Sequence, residues 1–287
     1  MKRRNVFNSP HLLKLKRKRR QLALGKLVIG GFSIAIIIGG LIYIARIPEL
    51  NIAEVQAQGS HAADSAEVER RVNEILREYY FGLFPKSNVL IYPKGEIEDF
   101  LFREYKGFKI VTFELKQKGV LGINITEREG KYTWCGEQPP KSGEVEKCYF
   151  LDDTGYIFEE APYFSGEVYF KFYGGKYGEH PAGNYYERQI FPFLLRFQKD
   201  LVKFSLNTAG MALEEGGDIA FFFSSPKIIS ESPKILVKRD SNFEEIAENL
   251  HTAVNTEPLK TQLKKNFAKL EYIDLRFGNK VYYKFDE

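Results

Sequence analysis

The side chains best suited to chemistry are two cysteines, four histidines and one serine–lysine pair. Cys135 and Cys148 are the only cysteines, and they bracket the polar stretch GEQPPKSGEVEK. In an oxidising compartment they would pair, and closing so short a loop adds ~3 kcal/mol in the chain-entropy picture. Two free thiols or half of a metal site are the alternatives, but no histidine stands nearby to complete a metal site. We expect a disulfide and no metal. His11, His61, His180 and His251 fit no nucleophile or metal motif. Ser224-Ser225-Pro226-Lys227 has the S-x-x-K spacing of penicillin-binding enzymes, and Lys141-Ser142-Gly143 mimics their later K-T/S-G element. Here, however, the second element precedes the first. The acid pairs Asp152-Asp153 and Glu159-Glu160 read as turn and surface residues. No glycine-rich phosphate loop is present. The expectation is a protein without catalytic residues or cofactors.

The element that must position everything else is Leu27–Ala45, LVIGGFSIAIIIGGLIYIA, which has no charged side chain. At ~1.5 Å per residue it comes close to the ~20 residues needed to cross a hydrocarbon core. Residues 1–26 hold ten Lys or Arg and no acid. Ten of the chain's 42 basic residues thus lie before the run, leaving 32 against all 38 acids. A basic tail is joined to a mildly acidic body, so the overall net charge of +4 describes neither part. The excess of Lys and Arg places the tail in the cytoplasm and the bulk outside. The cluster KLKRKRR beside a span suits anionic lipid headgroups better than nucleic acid. The apolar run exceeds the ~7–15 residues of a signal-peptide core, and no small-x-small cleavage site follows directly, so an uncleaved anchor is expected. Gly31, Ala35 and Gly39 recur every four residues. They offer either a helix-docking stripe or the ordinary glycine content of a membrane helix.

Behind the anchor, residues 48–59 read as a strand with Ile52 and Val55 inward. Asp64-Ser65-Ala66-Glu67 resembles a capping box leading into a helix with Val68, Val72, Ile75, Leu76 and Tyr79 on one face. A second helix is expected over 94–105. The period then changes to two. Val111, Phe113 and Leu115 alternate with polar residues, turn at Gln117-Lys118-Gly119, and resume at Leu121, Ile123 and Ile125. Asn124-Ile125-Thr126 is formally a glycosylation acceptor, but it sits in mid-strand. Residues 131–134 and 148–151 should pair as strands, with further strands at 156–158, 168–173 and 219–223. Ile190, Phe193, Leu194, Phe197, Leu201 and Phe204 outline a helix. Ser241-Asn242-Phe243-Glu244 reads as a second capping box, Pro258 starts a further helix, and 270–285 reads as two strands around Gly278-Asn279.

In that last strand Val281, Tyr283 and Phe285 face one way, and Lys280, Tyr282 and Lys284 the other. A terminal strand is commonly an edge strand. Its unpaired backbone groups either accept a partner strand or are shielded by the lysines.

Three local stretches carry a resemblance to the FtsQ/DivIB family of bacterial cell-division proteins. Residues Glu127–Trp134, EREGKYTW, resemble the family's E-R-x-P-x-A-x-W, with Gly130 in place of Pro and Tyr132 in place of Ala. Residues Leu151–Phe158, LDDTGYIF, resemble I-D-x-x-G-x-x-F. Tyr272–Phe277, YIDLRF, resembles Y-V-D-L-R-F/Y. The resemblance implies an α+β chain in four parts. These are a basic cytoplasmic tail (1–26), a single transmembrane helix (27–46), a POTRA-like α/β domain (47–129) and a β-rich domain with flanking helices (130–287). It implies a single-pass type II membrane scaffold at the division septum that binds FtsB/DivIC-like and FtsL-like proteins and other divisome membrane proteins. The partner-binding residues it implies are Arg276, Phe277, Asn279, Lys280, Val281, Tyr282, Tyr283 and Phe285, with Arg276 suited to a partner carboxylate. The rival classes are a POTRA-bearing transport or assembly factor and an anchored enzyme.

Overall fold

The computed structural model describes residues 10–61, 63–117, 119–141, 144–164, 166–214, 216–225 and 228–286, with the side chains of 10–13 excepted. The first nine residues of the basic tail, Lys118 of the proposed turn, Ser142-Gly143 and Pro226-Lys227 lie outside the described residues. The protein is α+β. The chain divides into two units, Met1–Glu104 with Ile110–Thr126, and Tyr105–Lys109 with Glu127–Glu287.

The first unit begins with helix α1, Pro10–Ala45. It is long and apolar enough over its second half to cross a membrane. The helix does not start at Leu27 but continues back through the basic stretch, because Lys, Arg, Leu and Gln are all good helix formers. Its 36 residues span about 54 Å at the α-helical rise. The hydroxyl of Ser33 donates to the Ile29 carbonyl (2.9 Å), one turn back along the helix. Nothing lies within 4 Å of a Cβ built at Gly31 or Gly39.

After α1 the stretch expected as one strand is a short 3-10 turn, Pro48–Leu50, followed by strand β1, Glu54–Gln58. Asp64 caps helix α2 (Ser65–Leu76) by accepting the Ala66 N–H. The Glu67 carboxylate turns to Arg70 and Arg71 instead of closing a capping box. Val68, Val72 and Leu76 are buried, but α2 stops there, and Tyr79 is exposed in the small hairpin of β2 (Tyr79–Tyr80) and β3 (Phe84–Pro85). Helix α3 (Lys94–Glu104) buries Ile97 and Leu101. Strands β4 (Phe108–Lys116) and β5 (Val120–Glu127) complete a sheet in the order β1-β5-β4, with β1 parallel to β5. The central strand β5 buries Leu121, Ile123 and Ile125. The edge strand β4 buries Phe108 and Val111, half-buries Phe113 and leaves Leu115 exposed. Asn124 lies opposite Gln58 in the β1–β5 pair, within the sheet.

The second unit is built on nine strands. They are β6 (Tyr132–Trp134), β7 (Tyr149–Leu151), β8 (Ile157–Glu160), β9 (Lys171–Tyr173), β10 (Thr208–Leu213), β11 (Asp218–Phe223), β12 (Lys234–Lys238), β13 (Leu270–Phe277) and β14 (Lys280–Phe285). Their order is β14-β13-β12-β11-β10-β9-β6-β7-β8. Helices α4 (Phe191–Lys203), α5 (Phe243–Val254) and α6 (Leu259–Asn266) contribute apolar faces to the main core. Ile219, Phe221 and Phe223 of β11 join that core, while Ala220 and Phe222 pack on the other face. Burial on both faces explains why β11 and β12 read as continuous apolar runs rather than alternations.

Two expected positions move. In α4 the buried set is Phe191, Leu194, Leu195, Phe197 and Leu201, and Phe193 is exposed. One residue turns the helix by ~100°, which carries Phe193 off the face centred on Leu194. The cap of α5 is Asn242, not Ser241, and its side chain accepts from Glu244 and Glu245 N–H.

Cys135 and Cys148 are joined by a disulfide. It lies on the sheet face away from the α4–α5 core, beside Tyr173, Ala212, Phe222 and Leu236. The two residues are 13 apart in sequence, so reduction is expected to cost ~3 kcal/mol of stability. The check is alkylation under native conditions without reductant. We expect no reactive thiol, and two modified cysteines in protein from its own compartment would contradict the pairing.

Two of the stretches behind the family resemblance meet in one structural knot. Arg128 Nη1 lies 2.5 Å from Asp152 Oδ2, and its guanidinium stacks 3.9 Å from the Tyr156 ring centre. Asp152 Oδ1 accepts from the Thr154 N–H (2.8 Å), the Thr154 hydroxyl (2.6 Å) and the Tyr156 N–H (3.0 Å). Gly155 is needed because its φ is +81° and a Cβ there would stand 2.9 Å from the Phe191 ring. At Gly130 a Cβ would stand 2.5 Å from the Phe150 ring, so Phe150 occupies the space that a side chain would need.

Candidate partner-binding edge

The β13–β14 hairpin closes through Gly278-Asn279. Gly278 has φ +65° at the first central position of a two-residue turn, the conformation that glycine adopts without strain. The alternation along β14 is clean. Val281, Tyr283 and Phe285 are half-buried against the main core, and Lys280, Tyr282 and Lys284 are exposed. Strand β13 carries two bulges, one between Leu270 and Tyr272 and one between Asp274 and Phe277.

β14 is the last strand of the nine-stranded sheet and, among the described residues, pairs only with β13. Asp286 donates its N–H to the Lys269 carbonyl (2.7 Å). The two-residue period of a strand then turns the backbone N–H and C=O of Val281, Tyr283 and Phe285 away from β13. Among the described residues, no other backbone group pairs with them. The opposite edge differs. Ile157 of β8 donates to Asn184 O (2.9 Å) and accepts from Gly183 N–H (2.7 Å), so the segment after Pro181 covers part of that strand.

The side chains around the open edge are an aromatic pair and a charge cluster. Phe277 and Tyr282 are both about half exposed, with rings 5.3 Å apart in a T-shaped contact. Arg276, expected to offer its guanidinium to a partner, already holds two carboxylates of its own sheet. Its Nη1 lies 2.6 Å from Asp218 Oδ2 and its Nη2 2.7 Å from Asp274 Oδ2, while Nε donates to Asp274 Oδ1 (2.9 Å). Arg276 therefore ties β13 to β11 and fixes the hairpin from behind. Lys284 pairs with Glu271 (2.8 Å), and that hydrogen bond raises the lysine pKa.

Asp218 and Glu271, the partners of these cations, were not legible in the sequence. Asp218 stands 58 residues before Arg276 and shares no motif with it. Cys135 and Cys148 do not belong to this edge. Glu146 lies near their sulfurs, but the pair is already bonded, and Glu146 is taken by Lys171 (2.5 Å) and the Tyr173 hydroxyl.

No family model matches the chain, and no curated protein matches it.

The buried acids give the unit a pH dependence. Burial pushes the carboxyls of Asp152 and Asp274 up, but hydrogen bonds outweigh it and hold both below their ordinary values. The bonds come from Thr154, Tyr156 and Arg128 for Asp152, and from Arg276 for Asp274. Below the ordinary aspartate value of about 3.9, the unfolded chain binds protons that the folded chain refuses, so stability rises with pH through that window. We expect the melting midpoint of the full chain to be flat between about pH 7 and 5 and to fall below about pH 4. A midpoint that rises on acidification would contradict the assignment.

Proposed function

We propose that the protein is a bitopic membrane scaffold of the bacterial divisome. In this reading α1 spans the cytoplasmic membrane, with the basic tail inside against anionic lipids and the folded units outside, and the protein acts at the division septum. The first unit is read as POTRA-like, supported by the order β1, α2, α3, β4, β5 around a three-stranded sheet, with the small β2–β3 hairpin between the helices. The second is read as the β domain, and it would help regulate septal wall synthesis by binding FtsB/DivIC-like and FtsL-like chains. The observation that carries the proposal is the uncovered β14 edge with the Phe277–Tyr282 pair beside it. A partner strand added there gains a row of main-chain hydrogen bonds and an aromatic contact.

The residues assigned to the contact are Phe277, Asn279, Lys280, Val281, Tyr282, Tyr283 and Phe285. Arg276 is reassigned from direct recognition to holding the hairpin. The test is co-purification of the full-length chain with the FtsB/DivIC-like protein of the same organism. Phe277→Ala combined with Tyr282→Asp should abolish capture while leaving the fold intact, since both side chains are about half exposed and neither is part of the buried core. Undiminished capture would reject this edge.

A further inference from the structure

We propose that the first unit carries a second membrane contact, an apolar foot that inserts into the outer-leaflet interface beside the exit of α1. This rests on the reading of α1 as a membrane span. The exit is rigidly joined to the unit. Asn51 Nδ2 donates to the carbonyls of Ala45 (3.0 Å) and Ile47 (2.7 Å), and Asn88 Nδ2 donates to Ala45 (3.2 Å). Ser87 donates to Asn51 Oδ1 (2.9 Å), and Ala45 itself is buried. The last carbonyls of the helix are therefore held by the folded unit rather than left to a swivelling linker.

Two loops hang from this joint. Leu90 is two residues beyond Asn88 and Ile91 three. The hairpin β2–β3 is tied to the same loop, since the Tyr80 hydroxyl donates to Ile91 O (3.3 Å). The side chains that these loops expose are almost all apolar. Phe81 is 94% exposed and Leu90 78%, with Tyr79, Leu83 and Ile91 exposed as well. An isolated surface leucine needs no explanation, but a group of five within two linked loops marks an interaction surface.

The hairpin tip makes the point more sharply. Phe81 has φ +51° and Gly82 φ +69°, the pair of left-handed conformations that Asn-Gly adopts with ease and a phenylalanine does not. The chain holds a strained aromatic residue at the tip and presents its whole ring to the surroundings.

The occupant follows from position. Tyr43, two residues before the buried Ala45, is itself exposed and stands where a span meets the headgroups, the level at which tyrosines gather. Loops bonded to Ala45 lie at that same level, so the lipid interface is the apolar phase within their reach. Together with the span, the foot would hold the first unit at a fixed tilt on the bilayer.

The test uses the full-length chain in nanodiscs of phosphatidylcholine and phosphatidylglycerol, with lipids brominated at shallow or deep acyl positions as quenchers. Phe81→Trp reports the foot and Ile37→Trp reports the span, each read against the parent chain, whose single tryptophan is buried in the second unit. We expect shallow bromines to quench the tryptophan at 81, with a blue-shifted emission, and deep bromines to quench the one at 37. Quenching at 37 with a solvent-like, unquenched spectrum at 81 would overturn the foot while leaving the span; it is the outcome expected if this patch instead receives a protein. No quenching at 37 would remove the span and the foot together.

Discussion

Replacing Asp152 by Ala is expected to cost the second unit about 3–5 kcal/mol, the range for removing one partner of a buried ion pair. The carboxylate is 2% exposed and Arg128 only 13%. Among the described residues Arg128 Nε has no hydrogen-bond partner, so losing Asp152 leaves the guanidinium with little beyond the face of Tyr156. The same substitution frees two backbone N–H groups in the turn that brings β8 against β7. Asp152→Asn keeps an acceptor for those N–H groups but not the charge, and should lose less. The measurement is urea unfolding of the full chain in detergent, followed by the emission of Trp134, the chain's one tryptophan, which is buried in the same core. A loss below about 1 kcal/mol would show that the knot is not a structural element.

Phe197→Ala should be comparably severe, at about 3–5 kcal/mol. Phe197 is 1% exposed and makes T-shaped contacts with Phe221 of β11 at 5.2 Å and Phe243 of α5 at 5.8 Å. One ring thus joins a sheet strand to two helices, and its removal opens a cavity where three elements meet. Phe193→Ala is the matched control on the same helix. Its side chain is exposed, so it should change stability by no more than about 0.5 kcal/mol. Similar losses for both would contradict the placement of α4.

These two sites also show how far sequence reasoning reaches. The 3.6-residue period located α4, yet it admitted Phe193 and passed over Phe191, because an aromatic-rich helix offers more apolar residues than one face can bury. Strands β10 and β12 escaped notice for the opposite reason: buried on both faces, they show no alternation for a period-two reading to detect. The apolar run is plain from composition, but its helix runs on through the basic stretch, since Lys and Arg are good helix formers. At the candidate site, the alternation of Val281, Tyr283 and Phe285 against Lys280, Tyr282 and Lys284 was legible because one face of an edge strand is wet. The commitment of Arg276 to Asp218 was not legible. It depends on β11 and β13 lying on either side of β12, and that order is a property of the sheet rather than of any local pattern.

Residues of the motifs behind the family resemblance take part in contacts within the fold. Arg128 and Asp152 close a knot, Gly155 takes a positive φ under Phe191, and Asp274 with Arg276 braces the last hairpin. They hold together the sheet whose last strand is β14.

Amide hydrogen exchange on the full-length chain, with and without the FtsB/DivIC-like protein, tests that edge most directly. Added partner should slow exchange at Val281, Tyr283 and Phe285, whose N–H groups point away from β13. A bound partner that leaves these three amides unchanged, and protects another surface instead, would contradict the account.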